Sequence, residues 1–330
     1  MKRRNFLVNT IIGGIGLTGI TGLPAIAKNP PAKKRKVLFK LGICADLHQD
    51  IMPDGPQRLQ TFIIAMNEHQ PDFIIQMGDL CVPKPSNQVI MDIWNQFKGP
   101  KYHVIGNHDT DGGYTHDQVV NFWNARDKYY SFDTGGYHFI VLNANEEKQI
   151  PKYQGPPSII SDDQKKWLEQ DIAGTNLPVI VFCHQGLDND TGGGVYQGNL
   201  IRVIFDRANV KAGYKKVQMV FSGHHHQDYY NVINGVHYVQ VNSISYQYMG
   251  PAYAHAHYDS ATEQAHPSVK YTAPYKDPIW AFLTIYSDGT AKITGRKSVF
   301  LSPAPQEMQR PEFHSGYPDV PYISDRDIHI

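Results

Sequence analysis

Cysteine is scarce: Cys44, Cys81 and Cys183 are the only three in 330 residues. An odd, small number builds no disulfide framework, and no C-x-x-C spacing points to a thiolate metal site. The three read as small, buried apolar side chains at strand ends. Net charge is also missing, with 31 basic against 31 acidic residues. A neutral chain has no electrostatic footprint for nucleic acid or an anionic membrane, which argues against both as partners and disfavours a nuclease. Long apolar runs are absent: residues 11–23 are mildly apolar but Gly-rich and too short for a permanent span. There is no internal repeat. The length suits one large α/β domain or two ordinary ones.

The first 27 residues read as a signal peptide. Lys2-Arg3-Arg4 is a basic n-region, residues 11–23 are the apolar h-region, and Ala25-Ile26-Ala27 is a small-residue cleavage site. The paired arginines before Asn5-Phe6-Leu7 resemble a twin-arginine export signal. No Cys follows Ala27, so no lipid anchor is indicated. The expectation is an exported protein, periplasmic or extracellular, with no stable membrane anchor. Residues 28–36 are a Pro-rich, basic linker.

From residue 37 the hydrophobic period alternates. Residues 37–45 form a strand-like run ending in Asp46-Leu47-His48. Pro56 opens a helix with Leu59, Phe62, Ile63 and Met66 on one face. Residues 72–77 are a second strand ending in Gly78-Asp79. Ile90, Ile93, Trp94 and Phe97 mark another helix, and a third strand reaches Gly106-Asn107-His108-Asp109. This βαβαβ order predicts a largely parallel, covered sheet.

A short helical pattern over 116–125 precedes an aromatic hairpin turning at Thr134-Gly135-Gly136. Ser161 with Gln164 resembles a capping box. Residues 177–183 are a fourth strand ending in His184. Residues 216–221 are a fifth, ending in Gly223-His224-His225-His226. Four short strands follow, paired through Asn234-Gly235 and Asp288-Gly289. The domain is expected over 37–301, with a long insertion at 245–277 and a Pro-rich tail at 302–330. The insertion's Tyr246, Tyr248, Tyr253 and Tyr258 either line the mouth of a site or pack structurally. His103, His138 and His237 lie within strands and read as packed or solvated.

Five apolar strands therefore end in Asp46, His48, Asp79, Asn107, His108, His184, His224 and His226. Ligands of open α/β sheets bind beyond the carboxyl ends of the strands. Carboxylates, an amide and imidazoles suit Zn, Mn or Fe, and a carboxylate such as Asp79 can bridge two cations. In the triple-His run, strand alternation sets His224 and His226 on one side and His225 on the other.

The ordered motifs D-x-H, G-D, G-N-H-D, H and G-H-x-H, over residues 37–243, resemble the calcineurin-like metallophosphoesterase family. The resemblance implies a four-layer α/β/β/α sandwich of two mixed sheets with a dinuclear metal site. Asp46, His48 and His226 would bind one metal, and Asn107, His184 and His224 the other, with Asp79 bridging. His108 would contact substrate phosphate and act as leaving-group acid, while a hydroxide held on the two metals (Mn, Fe or Zn) attacks phosphorus. The substrate would be a small phosphate monoester or diester. An export route for folded proteins suits an enzyme loaded with metal before translocation. The alternative is a non-catalytic binding or surface-interaction protein of the same fold.

The chain departs from the family at Val82. Purple acid phosphatases carry Tyr there and calcineurin-type phosphatases Asp. That argues against an Fe(III)–tyrosinate centre and leaves the carboxylate partner of His108 open, with Asp109 and Asp50 as candidates. After His184 the common His-x-Pro is replaced by Gln185-Gly186. The Gly-rich loop at 188–198 is expected on the substrate side.

Overall fold

Alternation inside single strands sets the layering. In β1 (Val37–Cys44), Phe39, Leu41 and Ile43 point to one apolar cluster and Cys44 to another. A computed structural model describes residues 35–146, 158–189, 193–311 and 316–330. The expected signal peptide and most of the linker (1–34) lie outside the described residues.

After β1 come α1 (Gly55–His69), β2 (Phe73–Gln76), α2 (Gln88–Trp94), β3 (Lys101–His103) and α3 (His116–Trp123). The second half begins with β4 (Tyr130–Thr134), β5 (Tyr137–Leu142), α4 (Asp162–Gly174), β6 (Val179–Cys183), α5 (Gly198–Ala212) and β7 (Val217–Ser222). Then follow β8 (Tyr230–Ile233), β9 (Val236–Gln240), β10 (Tyr246–Tyr248), α6 (Ser260–Ala265), β11 (Thr272–Pro274), β12 (Ala281–Tyr286), β13 (Thr290–Gly295) and β14 (Arg326–His329).

Two mixed six-stranded sheets result, ordered β14-β13-β12-β1-β2-β3 and β4-β5-β6-β7-β9-β8. Strands β1, β2 and β3 run parallel, as do β5, β6, β7 and β9. A shared apolar layer holds the sheets face to face, with Phe39, Phe73 and Leu283 from one and Phe139, Phe182 and Phe221 from the other. On the outer faces, α1 and α2 cover the first sheet and α4 and α5 the second. The architecture is the α/β/β/α sandwich that the resemblance implied, and not the single covered sheet read from the βαβαβ order. Sequence period alone cannot tell a sheet covered by helices on both faces from one covered by a second sheet on one.

Three local differences have physical causes. Ser161 Oγ accepts from Gln164 N at 3.2 Å, but the Gln164 amide turns inward to Asn143 and Glu146, so only half of the capping box forms. The insertion is not featureless: β10 pairs with β11, and Asp259 caps α6. The segment read as a tail ends in β14, which pairs antiparallel with β13 and closes the first sheet. Among the described residues no helix is long and apolar enough to cross a membrane.

His138 is a buried strand residue with two carboxylate partners, Asp133 at 2.6 Å across the hairpin and Asp171 of α4 at 2.8 Å. Burial alone would lower its pKa, but these carboxylates raise it. Because the folded value lies above the unfolded one, the stabilisation is complete below the unfolded pKa and is lost as pH rises through the folded pKa. His138→Gln is therefore expected to cost about 1 kcal/mol at pH 6 and measurably less at pH 9, read as the fall in melting temperature at the two pH values.

Candidate metal centre

The loops at the carboxyl ends of β1, β2 and β3 meet those after β6 and β7 at one edge of the sandwich. Main-chain bonds lock them together: His48 N donates to Asp79 O at 2.8 Å, and Gly223 N to His184 O at 2.9 Å. Between the sheets, His224 N donates to both Asp46 carboxylate oxygens at 3.0 and 3.1 Å. Of ten non-Gly residues with left-handed φ among those described, five are here: Asp46, His48, Asp79, His224 and His226. Each is a conformation that β-carbon sterics disfavour, and such strain concentrates at functional sites. Packing is equally tight. A Cβ on Gly106 would lie 2.2 Å from Asp79 Oδ1, and one on Gly78 2.4 Å from His184 Nδ1.

The side chains form two groups. Asp46, His48 and His226 bring one ligand atom each within 4.8 Å of one another, and so do Asp79, His184 and His224. Asp79 Oδ2 lies between them, 3.5 Å from His48 Nε2 and 3.1 Å from His184 Nε2. The donor set fits cations. His226 Nδ1 and His184 Nδ1 donate to the carbonyls of Tyr246 and Met77, at 2.8 and 2.7 Å, which turns each Nε2 lone pair inward. His184 Nε2 is buried with no hydrogen-bond partner, and His226 Nε2 faces His48 Nε2 at 3.0 Å. Inward lone pairs beside two buried carboxylates are a cation site of N/O character. The two clusters form a dinuclear site for divalent metal ions.

The electrostatics agree. Burial holds His48 and His224 well below the ordinary imidazole value, hence neutral and able to ligate. Burial opposes protonation of His184 too, but the Asp79 carboxylate overrides it and pushes His184 up to about 9. A proton there answers the same negative charge that a metal ion would.

Asn107 and His108 follow β3 on a short 3-10 turn and line the same cavity as His48, Asp79, His224 and His226. The partner of His108 is Asp111, whose Oδ2 lies 2.7 Å from Nδ1. Both candidates from the sequence are corrected. Asp109 is fully buried and accepts from the N–H groups of Asp79, Leu80, Cys81 and Gly106, tying the β2 and β3 loops together. Asp50 accepts from Val82 N and Asn87 and pairs with Lys84. A 3-10 turn brings residues three apart onto one side, so the H-D-T-D spacing held a legible signal that was missed.

His224 and His226 face the clusters while His225 bonds Tyr229 at 2.9 Å. The cause is not strand alternation, because β7 ends at Ser222 and the left-handed backbone at His224 and His226 directs them. The three cysteines are buried and free, and burial raises each thiol, which keeps them neutral and out of metal binding. His103 is packed between Trp94 and Trp123. Of the four tyrosines, Tyr246 and Tyr248 line the cavity, whereas Tyr258 packs against the cluster of Met52, Tyr246 and Val269. Residues 190–192 of the Gly-rich loop lie outside the described residues. Its Asn189 lines the cavity, and Gly193 packs over His224. Gln247, Arg310 and Tyr317 also line the cavity, and no local pattern marked them. Asp79→Ala, removing the carboxylate between the clusters, is expected to abolish binding of both ions in elemental analysis; two ions retained per chain would refute the bridging role.

Comparison with known proteins agrees with this geometry. The chain is 26% identical over 273 residues to a manganese-dependent ADP-ribose/CDP-alcohol diphosphatase of Arabidopsis thaliana, covering 62% of this chain and 85% of that protein. It is 28% identical over 178 residues to the human serine/threonine-protein phosphatase CPPED1, covering 48% of this chain and 54% of that one, so it spans about half of that relative's length. The fold matches a dimetal phosphatase of Danio rerio with TM-score 0.57 at 12% identity, covering 82% of this chain and all of the other. It also matches GAP50, the anchor in the inner membrane complex of Plasmodium, with TM-score 0.51 at 13% identity, covering 80% of this chain and 85% of that one. The sequence model of the calcineurin-like phosphoesterases matches residues 39–228, more than half of the chain, and the protein belongs to that family.

Proposed function

We propose that the protein hydrolyses phosphate esters at this centre, with Asp46, His48 and His226 holding one ion, Asn107, His184 and His224 the other, and Asp79 shared. The observation that carries the reading is His108. It belongs to neither cluster, yet its ring lies 5.3 Å from that of His48 and faces the same cavity. A protein that only bound metal would have no use for a proton donor held beside the ions and off them.

Bound divalent ions supply Lewis acidity toward phosphoryl oxygens and activate water at neutral pH. The chain supplies the proton. Burial works against protonation of His108, but the Asp111 hydrogen bond and the Asp79 charge raise it to about 9. In the chain without ions His108 is thus an imidazolium at neutral pH, and Asp111 on Nδ1 leaves Nε2 to donate to a departing alkoxide. Asp111 also orients the ring. Two metal ions would bring the value below the metal-free one by repulsion.

Support for a substrate class comes from relatives whose names give nucleotide substrates: the ADP-ribose/CDP-alcohol diphosphatase and a 3',5'-cyclic-nucleotide phosphodiesterase of Nostoc, 23% identical over 275 residues. Export remains part of the proposal. It is supported by Arg3-Arg4, the apolar run and Ala25-Ile26-Ala27.

Activity of the Mn²⁺-, Zn²⁺- or Fe²⁺-loaded protein on p-nitrophenyl phosphate and bis-p-nitrophenyl phosphate tests the reading and sorts monoesterase from diesterase. His108→Ala is expected to retain both ions and lose roughly 10²–10⁴-fold in kcat. The protonated form is the active one, so kcat/KM falls as pH rises through the His108 pKa. Asp111→Asn moves that alkaline limb to lower pH, by about one unit. No hydrolysis of either ester by the metal-loaded protein would refute the proposal.

A further inference from the structure

Gln185 follows the ligand His184, is 1% exposed and takes no part in the cavity wall, to which Asn107 does belong. Its Nε2 serves two acceptors, Asn145 Oδ1 at 2.5 Å and Asn107 Oδ1 at 3.5 Å. Asn145 in turn donates from Nδ2 to the carbonyl of Ile105 at 2.8 Å, two residues before Asn107. The root of this relay is held by α4. Gln164 accepts from Asn143 N at 2.9 Å and donates to Asn143 O at 2.8 Å, while Asn143 Oδ1 accepts from Asn145 N at 3.0 Å. Buried amide side chains from α4 and from the loops after β5 and β6 thus run to the loop after β3, a strand of the other sheet.

The polarity of the relay has one solution. A carbonyl only accepts, so Ile105 O sets Asn145 with Nδ2 toward it and Oδ1 toward Gln185. That oxygen needs a donor, which sets Gln185 with Nε2 toward both Asn145 and Asn107. At 3.5 Å the contact with Asn107 is long, and its effect is one of orientation: an N–H attracts the oxygen end of the Asn107 amide and repels the NH₂ end. Gln185 Oε1 and Asn143 Nδ2 stay buried without partners in this arrangement, and apolar side chains of similar shape would fill the space without that penalty. We propose that Gln185, held by Asn145, is a positioning residue that sets which end of the Asn107 amide is offered as a metal ligand. The amide oxygen has two lone pairs, one for the Gln185 N–H and one for the ion of His184 and His224. The amide nitrogen has none to give, so a flipped Asn107 would drop out of the set. This rests on the ligand assignment of the proposed function.

Calorimetric titration of the full chain with Mn²⁺, which needs no turnover, tests the proposal. Asn107→Ala is expected to weaken one of the two ions, and that ion is the one to follow. Gln185→Leu keeps the bulk and removes the N–H, and should weaken the same ion by about tenfold while leaving the other nearly unchanged. Placed on top of Asn107→Ala it should add nothing, because no amide remains to be oriented. A tie that only joined the sheets would lower the melting temperature and weaken the ion equally with or without Asn107, and that result overturns the proposal. So does a Gln185→Leu protein that binds both ions as the parent does. If Asn107→Ala leaves both affinities unchanged, the ligand assignment fails together with the relay. If Asn107→Ala weakens one ion and Gln185→Leu neither, the relay alone fails. Should Gln185→Leu not fold, Asn145→Leu, which releases Gln185 to turn, takes its place in the same comparison.

Discussion

Two carboxylates, Asp46 and Asp79, are buried side by side where the sheets meet, and the rest of the site follows from holding them there. Unpaired ionised groups at that depth would cost more than a marginally stable fold can absorb. The chain surrounds them with His48, His184, His224 and His226, whose nitrogens complete a cation site in which His184 Nε2 is buried with no hydrogen-bond partner. Backbone N–H groups carry part of the load as well: His108 N donates to Asp79 Oδ1 at 2.8 Å and His224 N to Asp46.

The scaffold around these groups is set by contacts that are not ligands. Asp109 gathers four backbone N–H groups from two loops, which fixes the approach of β2's end to β3's. Gly78, Gly106 and Gly223 leave no room for a side chain against His184, Asp79 and Asp46. Five ligand-bearing residues in left-handed backbone are held by this surrounding network, because isolated turns would relax. The two apolar layers of helices and the layer between the sheets make the frame stiff enough to sustain that strain.

Much of the site was legible because it lies at strand ends. An apolar run that stops in Asp, His or Asn is visible without knowing how sheets pair, and the α/β rule brings such ends together. The two-sheet arrangement was not legible from period alone, since Ile74 and Ile75 of β2 face different layers yet look alike in sequence. The i, i+3 spacing of His108 and Asp111 carried a signal, but the adjacent Asp109, of the same type, competed with it until the 3-10 turn set Asp109 inward and Asp111 against His108. Tyr317 and Arg310 line the cavity through contacts distant in sequence, Tyr317 with Tyr229 and Asn231 and Arg310 with the Tyr248 carbonyl, which leave no local pattern.

The fold alone does not fix a function, as its likeness to a membrane-complex anchor illustrates. What distinguishes this chain is the paired donor set with one carboxylate between. Electron paramagnetic resonance of the Mn²⁺-titrated protein tests that claim most directly. The account predicts uptake of two ions per chain and, at saturation, the multiline spectrum of a spin-coupled pair. Saturation at one ion, or two ions with only the six-line signal of isolated Mn²⁺, would contradict it.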